Sequence, residues 1–143
     1  MAAYVVTGGA GFIGSNIVAR LVSDGEDVRV VDDFSTGRPE NLAEFTGRIE
    51  LLEGSICDGG LLARAFDGAD YVLHQAALAS VQRSVENPLA SNEANVEGTV
   101  KVLTAARDAG VKRVVYASSS SVYGDTPELP KREAMAPGPV APY

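Results

Sequence analysis

Five short runs of apolar, often β-branched residues recur along the chain, and segments with helical spacing of apolar residues separate them. Apolar residues occupy nearly every position of these runs, which is typical of strands that are buried on both faces of a parallel sheet. The sequence therefore predicts strands at Ala3–Thr7, Asp27–Asp32, Ile49–Glu53, Asp70–Gln75 and Arg113–Ser118.

Helices are expected between the strands, at Phe12–Ser23, Leu61–Phe66 and Pro88–Ala109. Asp58 is well placed to cap the second of these helices, and only a short helix is expected within Ser35–Thr46. Alternating strands and helices form right-handed crossovers. The pattern predicts an α/β fold, a Rossmann-type doubly wound parallel sheet with strand order 3-2-1-4-5, in one domain that covers residues 1–143.

A glycine-rich turn joins the first strand to the first helix. Read from Gly9, the segment TGGAGFIG satisfies G-x-G-x-x-G, and read from Gly8 it satisfies G-x-x-G-x-x-G. Such a turn brings helix amides and the helix dipole to a pyrophosphate, with glycine where a side chain would block the approach. Asp32 follows at the end of the next strand, where a carboxylate accepts hydrogen bonds from an adenosine ribose. Together these features predict a dinucleotide site.

Two neighbouring carboxylates, Asp32 and Asp33, bear on the choice of dinucleotide. A carboxylate that faces the 2′ position of the ribose favours a free hydroxyl and repels a phosphate. We therefore expect NAD as the cofactor in preference to NADP. Arg38 keeps NADP open as an alternative, because its guanidinium could reach a 2′-phosphate.

The charge and the cysteine content exclude several kinds of partner. The net charge of −7 disfavours nonspecific binding to nucleic acid or to anionic lipid. Cys57 is the only cysteine, so the chain holds no internal disulfide and no cysteine-rich metal site; we expect no metal. No stretch has the length and apolar character of a membrane span, and MAAYVVT lacks the basic residues of a signal peptide. A cytoplasmic protein is expected.

Four consecutive hydroxyls, Ser118 to Ser121, follow the fifth strand at the sheet edge where a nicotinamide would lie. With these residues in place, the chain resembles the extended short-chain dehydrogenase/reductase family, and within it the nucleotide-sugar 4-epimerases. The segments that carry the resemblance occur in the family's order: TGGAGFIGS, VDDFSTG, HQAA, NVEGT and SSSSVYGD.

The resemblance implies a role for individual residues. Gly8, Gly11 and Gly14 would line the pyrophosphate, and Asp32 would hold the adenosine ribose. The residues implied at the cofactor are Gly8, Gly11, Phe12, Ile13, Gly14, Asp32, Asp33, Ser55, Ile56, Ala76, Ala77 and Asn95. Ser119 would be the catalytic hydroxyl, and Tyr143 resembles the tyrosine of a Y-x-x-x-K motif. The residues implied at the substrate are Ser80, Gln82 and Ser120.

One implied role has an alternative, and one implied contact departs from the family pattern. Asn95 would hold neighbouring main chain near the site, but a purely structural role in helix packing is an equal alternative, as it is for His74 and Tyr123. Ser55 stands where the family commonly has Asp, so its contact with adenine would be weaker.

The activity that the resemblance implies is NAD-dependent epimerisation of a UDP-hexose at C4 by transient oxidation. UDP-glucose/UDP-galactose is expected first and the N-acetylated pair second. The rivals are a 4,6-dehydratase or nucleotide-sugar decarboxylase, whose acids at the positions of Ser120 and Ser121 are missing here, and a non-catalytic NAD-binding module.

Proteins of this family run to about twice the present length, so the resemblance also implies that the chain is the N-terminal fragment of an extended short-chain dehydrogenase/reductase fold. The lysine of Y-x-x-x-K and the sugar-binding C-terminal part would lie beyond it. The resemblance therefore implies a fragment that is inactive alone, and a homodimer when full length.

Overall fold

The structure, a computed structural model that describes residues 1–143, confirms the predicted parallel sheet. All four neighbouring strand pairs are parallel, in the order β3-β2-β1-β4-β5. The fourth strand ends at His74 rather than Gln75 and the fifth at Tyr116 rather than Ser118, and the chain continues from both into loops at the carboxyl edge of the sheet. The strands are β1 Ala3–Thr7, β2 Asp27–Asp32, β3 Glu50–Glu53, β4 Tyr71–His74 and β5 Arg113–Tyr116.

The helices of the first half agree closely with the sequence pattern. Helix α1 covers Phe12–Ser23, and a 3-10 helix covers Pro39–Phe45. Helix α2, Gly59–Phe66, begins two residues before the expected start. The reason is its cap: the carboxylate of Asp58 accepts hydrogen bonds from the amides of Gly60 and Leu61, so the helix forms from the residue after the cap.

The segment between β4 and β5 differs from the prediction. Helix α3, Val81–Glu86, lies where a loop was expected. The predicted single helix Pro88–Ala109 is interrupted: α4 is Pro88–Asn92, a π-helical turn occupies Glu93–Glu97, and α5 is Gly98–Asp108. A π turn inserts one residue without ending the helix, so the apolar spacing on either side still looks helical. A final 3-10 turn, residues 120–123, follows β5.

Two apolar clusters cover the two faces of the sheet. Helix α1 and the 3-10 helix pack on one face, where Val6 and Val30 point, while α2 and α5 pack on the other, where Val5 and Val31 point. Adjacent residues of β1 and β2 are thus fully buried on opposite faces. This explains the consecutive apolar residues of the central strands, whereas the edge strands β3 and β5 are largely exposed, contrary to the expectation of burial on both faces.

The connections reverse direction at β1, which has β2 on one side and β4 on the other. In a sheet of this kind the crevice at the carboxyl ends of the strands opens at the reversal point. The residues that follow β1, β2, β4 and β5 therefore converge on one place.

Candidate functional site

A cavity of about 690 Å³ lies at the carboxyl edge of the sheet. Its walls come from the segments that follow β1, β2, β3, β4 and β5, together with the π turn and the end of the chain. The structure thus brings together most of the residues singled out in the sequence. The predicted residues on its walls are Gly8, Gly11, Phe12, Ile13, Gly14, Asp32, Asp33, Ile56, Ala76, Ala77, Asn95, Ser119 and Tyr143.

The glycine turn after β1 is packed too closely for side chains. A Cβ on Gly14 would lie 2.1 Å from the carbonyl oxygen of Gly8, and a Cβ on Gly8 would lie 2.6 Å from the amide nitrogen of Ala76. Gly8 also has φ of +67°, the left-handed region that favours glycine. The start of α1 therefore approaches the carboxyl ends of β1 and β4 with bare main chain. This is the cradle that a pyrophosphate needs at a helix N-terminus.

Asp32 ends β2 with a carboxylate that is only 7% exposed. Its Oδ2 accepts a hydrogen bond of 2.9 Å from the amide of Ala10, and its Oδ1 accepts one of 2.9 Å from the amide of Phe34. The second bond supports Phe34 at φ of +55°, a backbone conformation that a bulky residue rarely adopts. Asp32 thus fixes the glycine turn and the loop after β2 relative to each other.

The residues after β3 are only partly as expected. Ile56 lies on the cavity wall and is buried. Ser55 does not line the cavity, because its hydroxyl turns back to accept a hydrogen bond of 3.1 Å from the amide of Cys57. The position of Ile56 depends on Gly98 at the start of α5, where a Cβ would lie 2.6 Å from Cδ1 of Ile56.

Asn95, in the π turn, binds both main-chain groups of Leu78. Its Oδ1 accepts a hydrogen bond of 2.8 Å from the Leu78 amide, and its Nδ2 donates one of 3.2 Å to the Leu78 carbonyl. Asn95 therefore holds the main chain of the loop after β4 through two hydrogen bonds. Leu78 and Asn95 both line the cavity.

His74, the last residue of β4, is 4% exposed and hydrogen-bonded at both ring nitrogens. Nδ1 lies 2.6 Å from the hydroxyl of Thr7, and Nε2 lies 3.1 Å from the hydroxyl of Thr99. Burial lowers the pKa of the imidazole below its ordinary value of 6.5, because desolvation disfavours the charged ring.

The hydroxyl groups after β5 face the same cavity as the end of the chain. Ser118, Ser119, Ser121 and Tyr143 all line it. The hydroxyl of Ser119 accepts a hydrogen bond of 3.2 Å from the amide of Ser121, which starts the short 3-10 turn. A serine hydroxyl held in this way still has its own proton to donate into the cavity.

Three residues implied at the substrate are not on the cavity wall. Ser80 caps α3 by accepting a hydrogen bond from the Arg83 amide, and Gln82 donates to Glu86 on an exposed helix surface. Ser120 is exposed, and Ser121 lines the cavity in its place. Ser80 and Gln82 lie away from the cavity wall because the segment expected to be a loop forms helix α3, which Ser80 caps.

Thr99, the last residue of NVEGT, lines the cavity and contacts His74, although no role was predicted for it. A signal was present: Asn95 and Thr99 are four residues apart, so helical spacing places both on the face that meets β4. No helix has the length and apolar character that crossing a membrane would require, and no group of three or more His, Cys, Asp or Glu side chains is placed to hold a metal ion.

Comparison with known proteins gives consistent matches. The sequence model of the NAD dependent epimerase/dehydratase family matches residues 4–143. A UDP-glucose 4-epimerase from Mycolicibacterium smegmatis is 46% identical, over 97% of this chain and 46% of its own length. The chain spans about half the length of the curated relatives it matches.

The fold of the chain also superposes on solved structures of related enzymes. A UDP-glucose 4-epimerase from Thermus thermophilus in complex with NAD superposes with a TM-score of 0.90, is 39% identical, and is matched over 99% of this chain and 46% of its own. A dTDP-glucose 4,6-dehydratase from Streptomyces venezuelae with NAD bound superposes with a TM-score of 0.93 at 39% identity, over 99% of this chain and 47% of its own. Relatives with two different reactions thus share this fold.

Proposed function

The chain belongs to the NAD-dependent epimerase/dehydratase family, and from that premise we propose that the whole protein is an NAD-dependent UDP-hexose 4-epimerase. The observation that carries the proposal is that Ser119 and Tyr143 line the same cavity as the glycine turn and Asp32. One end of the cavity then suits the cofactor's adenosine and pyrophosphate. The other end presents two hydroxyl groups to a substrate.

The cofactor part of the proposal rests on the shape of the turn. Because Gly8 and Gly14 carry no side chain, the main chain of the turn packs directly against itself and against Ala76, and this close packing brings the N-terminus of α1 to the cavity wall. Asp32, which keeps lone pairs beyond its two main-chain bonds, would accept from the ribose hydroxyls. When bound, NAD supplies a hydride acceptor that can return the hydride.

The chemical step is assigned to Tyr143 and Ser119. A carbon that carries no acidic proton cannot be inverted by simple deprotonation, so the alcohol at C4 must first be oxidised. Tyr143, as the phenolate, would take the proton from the sugar O4 as the C4 hydride leaves, and would return that proton to O4 when the hydride comes back to the other face of C4. The hydroxyl of Ser119 would hold O4 by a hydrogen bond throughout.

The distribution of carboxylates favours an epimerase over a dehydratase. Elimination of water needs a proton donor and an acceptor beside the reacting sugar. Asp32 and Asp33 are the two carboxylates on the cavity wall; Asp32 ends β2 and Asp33 follows it, at the end proposed for adenosine. Ser118, Ser119 and Ser121 line the wall after β5, where the sugar would lie, and a serine hydroxyl does not act as an acid near neutral pH.

The proposed substrates are UDP-glucose and UDP-galactose first, and their N-acetylated counterparts second, with UDP-glucuronate as a further possibility. The test is to incubate the whole protein with UDP-galactose and with UDP-N-acetylgalactosamine separately and to resolve the products. Formation of the C4 epimer supports the proposal. A stable 4-keto-6-deoxy product would favour the dehydratase, and NAD binding without any turnover would favour a non-catalytic module.

A further inference from the structure

The side chains of Thr7, His74 and Thr99 form a continuous bridge from β1 through β4 to α5, which we call the Thr7–His74–Thr99 bridge. It extends at both ends into main chain. The amide of Ala76 donates to the Thr7 hydroxyl at 3.3 Å, and the Thr99 hydroxyl donates to the carbonyl of Asn95 at 2.7 Å. The bridge therefore joins the loop after β4 to the π turn.

The donors at the two ends determine which ring nitrogen of His74 carries hydrogen. A hydroxyl has one proton to donate, and that of Thr99 goes to the Asn95 carbonyl, so towards Nε2 the Thr99 oxygen can only accept. Nε2 must then carry the hydrogen. In the neutral ring Nδ1 is an acceptor, and it receives the proton of the Thr7 hydroxyl, whose oxygen is occupied by the Ala76 amide.

The bridge ends at a part of the helix that is itself irregular. In the π turn the amide of Gly98 donates to the carbonyl of Glu93, five residues before it. A wide turn of this kind costs more than regular helix and persists where surrounding contacts support it. The bridge supplies such a contact at the Asn95 carbonyl, while the Asn95 side chain holds both main-chain groups of Leu78.

We propose that His74 is a positioning residue: as the neutral Nε2–H tautomer within the Thr7–His74–Thr99 bridge, it fixes the π turn and, through Asn95, sets the main chain of Leu78 on the cavity wall. The consequence for function rests on the proposed NAD-dependent activity. Loss of the bridge loosens the wall that faces the cofactor, so it lowers NAD affinity even though neither His74 nor Thr99 need contact the reacting atoms.

The first test reads the tautomer directly. In the whole protein labelled with nitrogen-15 histidine, the ring signals of His74, the only histidine of these 143 residues, are identified as those missing from the spectrum of His74→Gln. The expected spectrum is that of a neutral Nε2–H imidazole at neutral pH. A Nδ1–H tautomer or a charged ring would overturn the proposal, and this result does not depend on whether the protein binds NAD.

The second test separates the hydroxyl from the shape of its side chain. Thr99→Val keeps the shape and removes the hydroxyl, whereas Thr99→Ser keeps the hydroxyl and removes a methyl group. Thr104→Val, on an exposed turn of the same helix, is the matched control. In calorimetry with the whole protein, Thr99→Val should bind NAD about fivefold to tenfold more weakly, the effect of roughly one net hydrogen bond. Thr99→Ser and Thr104→Val should bind like the unmodified protein.

The outcomes discriminate between the two proposals. If Thr99 only fills space, the order of NAD affinities should be reversed, with Thr99→Val binding better than Thr99→Ser. That order, or equal NAD affinity in all variants, would overturn the positioning role. Should Thr99→Val fail to fold, Thr7→Val removes the donor to Nδ1 and tests the other half of the bridge. If the unmodified protein binds no NAD, the proposed function fails instead, and the tautomer result decides the bridge by itself.

Discussion

The carboxylate of Asp32, at the end of β2, accepts a hydrogen bond of 2.9 Å from the main-chain amide of Ala10 in the turn after β1. Through this bond one side chain both presents a carboxylate to the cavity and holds the glycine turn in place. Asp32→Ala should therefore lower NAD affinity by at least about tenfold and destabilise the fold by roughly 2 kcal/mol, because two main-chain amides lose a charged acceptor.

The control for Asp32 is available on the same strand. Asp27 begins β2 at the opposite end of the sheet and is exposed, so Asp27→Ala should leave NAD affinity unchanged. Calorimetry with NAD and NADP, together with urea unfolding, measures both effects. Tighter binding of NADP than of NAD by the unmodified protein would contradict the assignment of Asp32 to the ribose.

Gly14→Ala is expected to abolish NAD binding. The added Cβ would meet the carbonyl oxygen of Gly8 at 2.1 Å, and because both atoms belong to main chain, the turn itself must move to relieve the contact. Gly59→Ala is the matched control, since a Cβ at that first residue of α2 meets nothing within 4 Å. Retention of normal NAD affinity by Gly14→Ala would show that the pyrophosphate lies elsewhere.

Gly98→Ala should weaken NAD binding by displacing Ile56. The new Cβ would lie 2.6 Å from Cδ1 of Ile56, which is the end of a side chain and can move. Since Ile56 also lines the cavity, its displacement changes the cavity wall. Adding Ile56→Val, which removes Cδ1, should restore part of the affinity lost in Gly98→Ala. Calorimetry with NAD on the single and double variants measures this recovery. If the double variant binds NAD no better than Gly98→Ala, displacement of Ile56 is not the cause.

The buried imidazole of His74 makes stability depend on pH. Its pKa is lowered by burial, so the unfolded ring takes up a proton below its ordinary value of 6.5 while the folded ring does not. Unfolding is then coupled to proton uptake, and stability falls as pH decreases from about 6.5 towards the lower folded pKa. The hydrogen bond from Lys112 lowers the pKa of Asp70, but this carboxylate changes the stability only below pH 3.8, its ordinary pKa, and so does not contribute in the range of the histidine.

Urea unfolding across this range measures the effect. The free energy of unfolding of the unmodified chain should fall between pH 6.5 and 5, and His74→Gln, which has no group that titrates there, should not show that fall. An equal slope in the two proteins would mean that another group is responsible.

Tyr143→Phe should remove most of the epimerase activity of the whole protein while NAD binding remains. Loss of general acid and base action alone costs about a hundred- to ten-thousand-fold in rate. Tyr71→Phe, at the amino end of β4 and far from the cavity, is the control. Comparison of kcat and of NAD affinity for the two variants separates chemistry from binding. Full activity in Tyr143→Phe would require another base.

The 143-residue chain on its own tests whether NAD binding and catalysis reside in different parts of the protein. The glycine turn and Asp32 belong to it, so we predict NAD binding by calorimetry and no conversion of UDP-galactose. Turnover by a verified chain of this length would contradict the roles given to the lysine and to the sugar-binding part implied by the resemblance.

The strand order could be predicted because it follows from the alternation of strands and helices and from right-handed crossovers, and the glycine turn could be predicted because it depends on a short stretch of sequence. The turn at Gly8 and Gly14 needs only glycine between a strand and a helix. The partners that were not predicted, Leu78 for Asn95 and Thr7 for His74, lie in other segments of the chain. Asn95 and Leu78 are seventeen residues apart, and Thr7 and His74 are sixty-seven apart. The N-cap role of Ser80 was not predicted because serine is favoured both in loops and at helix N-caps.

The most direct measurement of the proposed activity uses UDP-galactose that carries deuterium at C4 of the sugar, incubated with the whole protein. Transient oxidation with return of the hydride to the same carbon predicts UDP-glucose that retains deuterium at C4. Deuterium at C6 of a 4-keto-6-deoxy sugar would identify a dehydratase, and loss of deuterium to the solvent would contradict hydride return at C4 altogether.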